Sequence, residues 1–156
     1  MSQNSRARWS IPTWFLFHGM AEKIDEKFFE ENRIKVLNFY RHICGNLPCP
    51  VCATHSINYV RRNNIMKINN KKELIEYFFT MHNWVNKRLK KSEFVKKEMS
   101  MYERINIVHC IKYWDNRFFD KYYVHRNFNS WRRNSLQNLS RGFFVENYMK
   151  MFNLKD

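Results

Sequence analysis

Between Phe28 and Leu47 the apolar residues Phe29, Val36, Phe39, Ile43 and Leu47 fall near multiples of three and four. That spacing lines one face of an α-helix and forbids a half-buried strand, whose faces alternate every second residue. The same period governs the segments on either side. Over Ile11–Ile24 it is carried by Trp14, Phe15, Phe17, His18 and Ala21, with Pro12 suited to an early helical position. A third helix is expected from Pro50 to about Arg62, and a fourth from Lys71 to about Lys90 with Leu74, Tyr77, Phe78, Met81, Val85 and Leu89 on its core face. Gly45 and Pro48 stop the second helix, and Asn63–Asn70 has loop composition. Three glycines and three prolines in 156 residues are too few turn signals for a β-sandwich. Four amphipathic helices with short connections describe an all-α four-helix bundle.

Beyond the bundle, Ser92 is expected to cap a short fifth helix running to about Tyr102. Ile105–Tyr123 keeps a helical pattern but is crowded with Tyr113, Trp114, Phe118, Phe119, Tyr122 and Tyr123. His125–Ser130 reads as a break, and Trp131–Phe152 as a last helix. A soft boundary near residue 100 therefore divides residues 1–102 from a basic, aromatic, helical C-terminal extension, residues 103–156. That extension is expected to pack on the bundle, or to offer an oligomerisation or docking surface.

The formal charge of +14 implies solubility and a general attraction to anions. No strand–loop module or Cys/His repeat supports a dedicated nucleic-acid fold. Met1–Arg8 is polar, and the apolar run Trp14–Met20 is short and contains a histidine. Neither a signal peptide nor a membrane span is expected, which points to a cytosolic compartment. There, four cysteines imply catalysis, redox chemistry or metal binding before a secreted disulfide framework.

The chemistry concentrates in Leu47-Pro48-Cys49-Pro50-Val51-Cys52-Ala53-Thr54-His55. Two cysteines at a helix start meet free N–H groups and the positive end of the helix dipole. Both favour a thiolate and make it a better nucleophile and leaving group. Thioredoxin-like chemistry uses the same pair in a βαβ context, which this chain lacks. A basic zinc- or nucleic-acid-binding module using Cys49, Cys52 and His55 is the alternative; zinc would need further ligands such as Cys44, His82 or Cys110. Elsewhere, Trp14 and His18 share one helical stripe, as do His82 and Asn86, with Asn83 adjacent and Lys91 just beyond. Together they offer aromatic surface, ring nitrogens, amides and a cation, which suits a flat, phosphate-bearing cofactor inserted between helices.

Three ordered motifs then resemble the Erv/ALR family of FAD-linked sulfhydryl oxidases: Trp9-(x4)-Trp14-(x3)-His18, the Cys49–Cys52 segment ending at His55, and His82–Lys91 in the pattern HNxVNxxLxK. They span about residues 9–102, in a compact form similar to members from large cytoplasmic DNA viruses. The resemblance implies a four-helix bundle with a short fifth helix, non-covalent FAD, no metal, and usually a homodimer. It implies a thiol-containing client or thioredoxin-like shuttle protein attacking Cys49. Cys52 would be the sulfur nearer the flavin, and O2 the final acceptor, giving H2O2. Trp14, His18, His55, His82, Asn86 and Lys91 would line the FAD site, with Lys91 at a phosphate. A host-cytoplasmic location, at the virus factory or in the virion, follows from the same likeness, and no specific nucleic acid or membrane partner does.

Departures from the family pattern are Ser10 for a glycine, Leu47 for a tyrosine, and no structural cysteines near Phe79 and Lys96. Tyr102 is the candidate for a late aromatic near FAD. Cys44 and Cys110 are left as buried thiols, as a structural or interchain disulfide, or as a shuttle pair.

Overall fold

The computed structural model describes residues 3–120 and 130–154, with side chains from residue 6. Its helices are α1 (Gln3–Lys23), α2 (Glu26–Cys44), α3 (Pro50–Arg62), α4 (Lys71–Arg88), the single turn α5 (Ser100–Glu103), α6 (Ile107–Phe118) and α7 (Ser130–Met151). Short 3-10 turns lie at Ile65–Lys67 and Lys96–Met99. Among the described residues there is no strand, and no helix is long and apolar enough to cross a membrane. The all-α bundle with its C-terminal extension is the fold observed. The expected break at His125–Ser130 falls, except for Ser130, outside the described residues, as do Tyr122 and Tyr123.

The caps explain most boundaries. The Asp25 carboxylate accepts the Phe28 N–H at 2.8 Å and starts α2. The Asn70 and Asn106 side chains accept from Glu73 and His109 at 2.9 and 3.0 Å and start α4 and α6. Two boundaries differ from expectation. α1 begins at Gln3, eight residues before Ile11, so Pro12 lies inside it. Trp9 is buried edge-on against Phe118 of α6, a contact that holds these added turns. The fifth helix does not start at Ser92. Asn83 brackets Phe94 with two 2.8 Å hydrogen bonds, donating to its carbonyl and accepting from its N–H, and residues 91–95 stay non-helical.

α1 packs most extensively along α6 and also meets α4 and α5; α2 meets α3 and α7. Trp114 of α6 is fully buried among Phe118, Phe119 and Phe144. Phe39 of α2 stacks on Phe143 of α7 at 4.1 Å and 9°. The Asp25 N–H donates to the Met151 carbonyl at 2.8 Å, tying the end of α7 to the α1–α2 turn. The C-terminal helices therefore share one apolar core with the bundle.

Candidate active site

Cys49 is the N-cap of α3, and Pro50 occupies the first turn, where a missing N–H costs nothing. The Cys49 sulfur accepts the Cys52 N–H at 3.3 Å. The two cysteines form a disulfide with Cα atoms 5.1 Å apart. On reduction, the same amide and the helix N-terminus remain aimed at Cys49, an environment that favours its thiolate. Cys49 is buried, Cys52 half-buried, and Val51 between them is 64% exposed.

The disulfide opens on a cleft of about 450 Å³ between α1, α3 and α4. Trp14, His55, His82, Asn86 and Lys91 line it together with both cysteines. His18 does not. It lies fully buried behind the wall, its Nε2 3.0 Å from Nδ1 of His82. Trp14 stacks on His82 with ring centres 4.1 Å apart and 7° between planes. Phe94 stacks on His82 at 4.6 Å, and Tyr102 on His18 at 4.8 Å. His55 meets the Arg88 guanidinium, with 2.9 Å from Nε2, and that guanidinium lies over Trp84 at 5.0 Å.

The end of α4 sets the last motif residues. Lys90 turns with φ 53°, and the Lys91 N–H donates to the Asn86 carbonyl at 2.9 Å while the Lys90 N–H donates to Lys87 at 3.2 Å. This is a Schellman closure with lysine at the left-handed position glycine usually takes. It pins Lys91 to Asn86, which is why the two belong to one motif.

Burial, then the Lys91 charge, pushes His82 down to about 4. Burial, then His82, pushes His18 down to about 3. Both rings are neutral at pH 7, and one proton bridges them. As pH falls below 6.5 the unfolded chain takes up protons that the folded pair refuses. Stability present above pH 6.5 is therefore lost towards pH 4. Between pH 7 and pH 5 the expected loss is on the order of 2 kcal/mol per histidine. Denaturant melts at the two pH values measure it, and His82→Gln should remove about half of the difference. A variant with the same pH slope as the parent would refute the assignment.

Arg6 and Arg88 line the cleft and escaped the sequence reading; Trp9, the first residue of the first motif, and Tyr102, the candidate late aromatic, line it too, and the buried Arg6 Nε and Trp9 Nε1 have no hydrogen-bond partner among the described residues. Phe94 reaches His82 through the Asn83 bracket, whose partner lies eleven residues away and leaves no local signal. The departures are accommodated. Ser10 continues α1, and Lys96 sits over the Phe79 ring at 5.6 Å while pairing with Glu76 at 3.2 Å. These exposed contacts contribute up to about 1 kcal/mol each. Cys44 and Cys110 are free and buried, so they form no disulfide with each other. Burial pushes the Cys44 thiol up to about 12 against a hydrogen bond from Ser56, and raises Cys110 too. Among the described residues no group of three or more His, Cys, Asp or Glu side chains comes together, so the zinc alternative gains no ligand set.

A disulfide capping a helix and opening on an aromatic-walled cleft in an all-helical core defines a helical disulfide redox protein. The Erv1/Alr family model matches residues 11–105, and the chain belongs to that family. Among relatives, a protein of Invertebrate iridescent virus 3 bearing the name FAD-linked sulfhydryl oxidase 096R is 28% identical over 98 residues, 62% of this chain and 66% of that protein. The chain thus spans just under two thirds of that relative. An African swine fever virus protein (isolate Tick/Malawi/Lil 20-1/1983) named FAD-linked sulfhydryl oxidase is 24% identical over 110 residues, 70% of this chain and 92% of its own length. The Pig/Kenya/KEN-50/1950 isolate's protein matches equally. No solved structure matches the chain significantly.

Proposed function

We propose that this chain is an FAD-dependent thiol oxidase that makes disulfide bonds in client proteins. The observation that carries the reading is that the Cys49–Cys52 disulfide and the Trp14–His82 stack face the same cleft. The cleft suits FAD. Its stacked rings match a flat ring system, its rim carries Arg88 and Lys91, and the unpartnered Arg6 Nε and Trp9 Nε1 are donors awaiting an acceptor. Trp14, His55, His82, Asn86 and Lys91 would hold it, with His18 positioning His82 and Lys91 meeting a phosphate. When bound, FAD supplies a two-electron acceptor that O2 can reoxidise, releasing hydrogen peroxide.

The chain's own residues perform the exchange. A client thiolate attacks the Cys49 sulfur, the Cys49–Cys52 bond breaks, and Cys52 leaves as a thiolate on the cleft side. The second client thiolate attacks the client sulfur of the mixed disulfide, and Cys49 leaves. Its departure is eased by the Cys52 N–H already aimed at it. The client loses two electrons, and Cys49 and Cys52 gain them as a dithiol. Residues 1–102 carry this chemistry, and residues 103–156 complete the core. A viral origin, a thiol client or thioredoxin-like shuttle protein, a homodimer, and a location in host cytoplasm or virion follow from the family likeness and the relatives' sources.

The purified chain should be yellow, with an oxidised-flavin absorption band, and should consume oxygen with dithiothreitol while releasing equimolar peroxide. A colourless protein that cannot be loaded with FAD would sink the proposal. Trp14→Ala should weaken FAD retention about five- to tenfold, from loss of the stacking surface.

A further inference from the structure

The cleft follows one stripe of α1 formed by Arg6, Ser10, Thr13 and Phe17, spaced by three or four residues. α1 runs antiparallel to α4, since Trp14 stacks on His82 while Phe17, further along α1, meets Phe78, one turn back along α4. Carried back about two turns from Trp14, that register brings Arg6 level with the end of α4, where Leu89 and Lys91 also line the cleft. α3 is antiparallel to α4 as well, with Tyr59 against Trp84 and His55 against Arg88. Cys52 therefore lies at the same end. Three cations, Arg6, Arg88 and Lys91, gather there, and the cleft lining contains no Asp or Glu among the described residues. Arg88 is already engaged with His55 and Trp84. Arg6 is half-buried, and its buried Nε has no hydrogen-bond partner among the described residues. A desolvated guanidinium donor without an acceptor is costly, and an anion in the cleft removes that cost.

We propose that Arg6 is a phosphate-binding residue of the cofactor cleft, acting from the α1 wall as Lys91 acts from the α4 wall, and that it sets a preference for FAD over riboflavin. The inference rests on the oxidase reading above. A diphosphate offers acceptor oxygens on more than one side, so a lysine on one wall leaves others unpaired. The planar Arg6 fork suits two such oxygens at once, whereas Lys91 supplies a point charge. The turn that carries Arg6 is held in place by the residues after it. Trp9 is buried against Phe118 of α6, and the Thr13 hydroxyl donates to the Trp9 carbonyl at 2.6 Å. Arg6 and Phe118 both lie outside residues 11–105, the stretch matched by the family, so this anchor belongs to what the chain adds on either side of it.

The test titrates FAD and riboflavin into the full-length, flavin-stripped protein and reads flavin fluorescence, with circular dichroism to check that each variant is folded. Arg6→Gln should weaken FAD binding about tenfold and riboflavin binding by less than about twofold. Arg6→Lys should recover part of the loss, because the charge returns without the fork. Added salt should weaken FAD binding more steeply in the parent than in Arg6→Gln. Lys150→Gln, on the exposed surface of α7, should change neither titration. An equal loss for both flavins would make Arg6 a packing residue, and an unchanged FAD affinity would remove it from the site; either result overturns the proposal. If the parent binds neither flavin, the oxidase reading falls, and ADP followed by calorimetry decides the role of Arg6 by itself. ADP binding that is lost in Arg6→Gln keeps the phosphate site, and ADP binding that is absent or unmoved removes it.

Discussion

Cys52→Ser should lower oxygen consumption with dithiothreitol by at least about a thousandfold while leaving FAD bound. Cys49→Ser should do the same, because the exchange needs a disulfide and neither serine can make one. The two variants differ in what they leave behind. In Cys52→Ser the remaining Cys49 still caps α3, where the Cys52-position amide faces its sulfur. The Cys49 thiol should form a stable mixed disulfide with a single-cysteine client activated by an aromatic thiol leaving group, since neither the variant's position 52 nor that client then supplies a second thiol to resolve it. In Cys49→Ser the remaining Cys52 sits in the first turn of α3 and lacks this capping position. Unchanged oxygen uptake in either variant would refute the assignment of Cys49 and Cys52.

Ending the chain after residue 105, where the family match stops, should leave a protein that does not fold cooperatively. The cut removes α6 from the face of α1 on which it packs most extensively, and strips Phe143 from Phe39. Exposing such a face costs far more than the roughly 5–15 kcal/mol that holds a domain of this size. The graded version is Trp114→Ala, which empties the centre of the α6–α7 cluster and should cost about 3–5 kcal/mol. Val145→Ser, on the 77% exposed face of α7, should change stability by less than about 0.5 kcal/mol. Guanidinium melts of the three proteins decide this. A fully folded, flavin-loaded chain ending at residue 105 would show that the extension is an ornament on an independent bundle.

Local chemistry made much of the site legible. α3 spans Pro50–Arg62 as the pattern predicts, because a proline in the first turn and a cysteine cap are local signals. Trp14 and His82 each stood in a recognisable stripe, and the Asn86–Lys91 interval is the reach of one Schellman closure. Other features depended on partners remote in sequence. The first turns of α1 persist because Trp9 meets Phe118, more than a hundred residues away. Ser92 starts no helix because Asn83 holds Phe94 by its backbone.

Sequence alone determined the helical class, the disulfide at a helix start, and the residue types gathered for a flat, charged cofactor. These rest on periodicity, capping and dipole effects that act within a turn or two. Tertiary structure decided that His18 stands behind His82 instead of facing the cleft, and that the C-terminal helices complete the core. It also decided that Arg132 from the last helix donates to the Asn46 side chain just beyond α2. Those outcomes depend on which faces bury each other, and burial is settled by the packing of the whole chain.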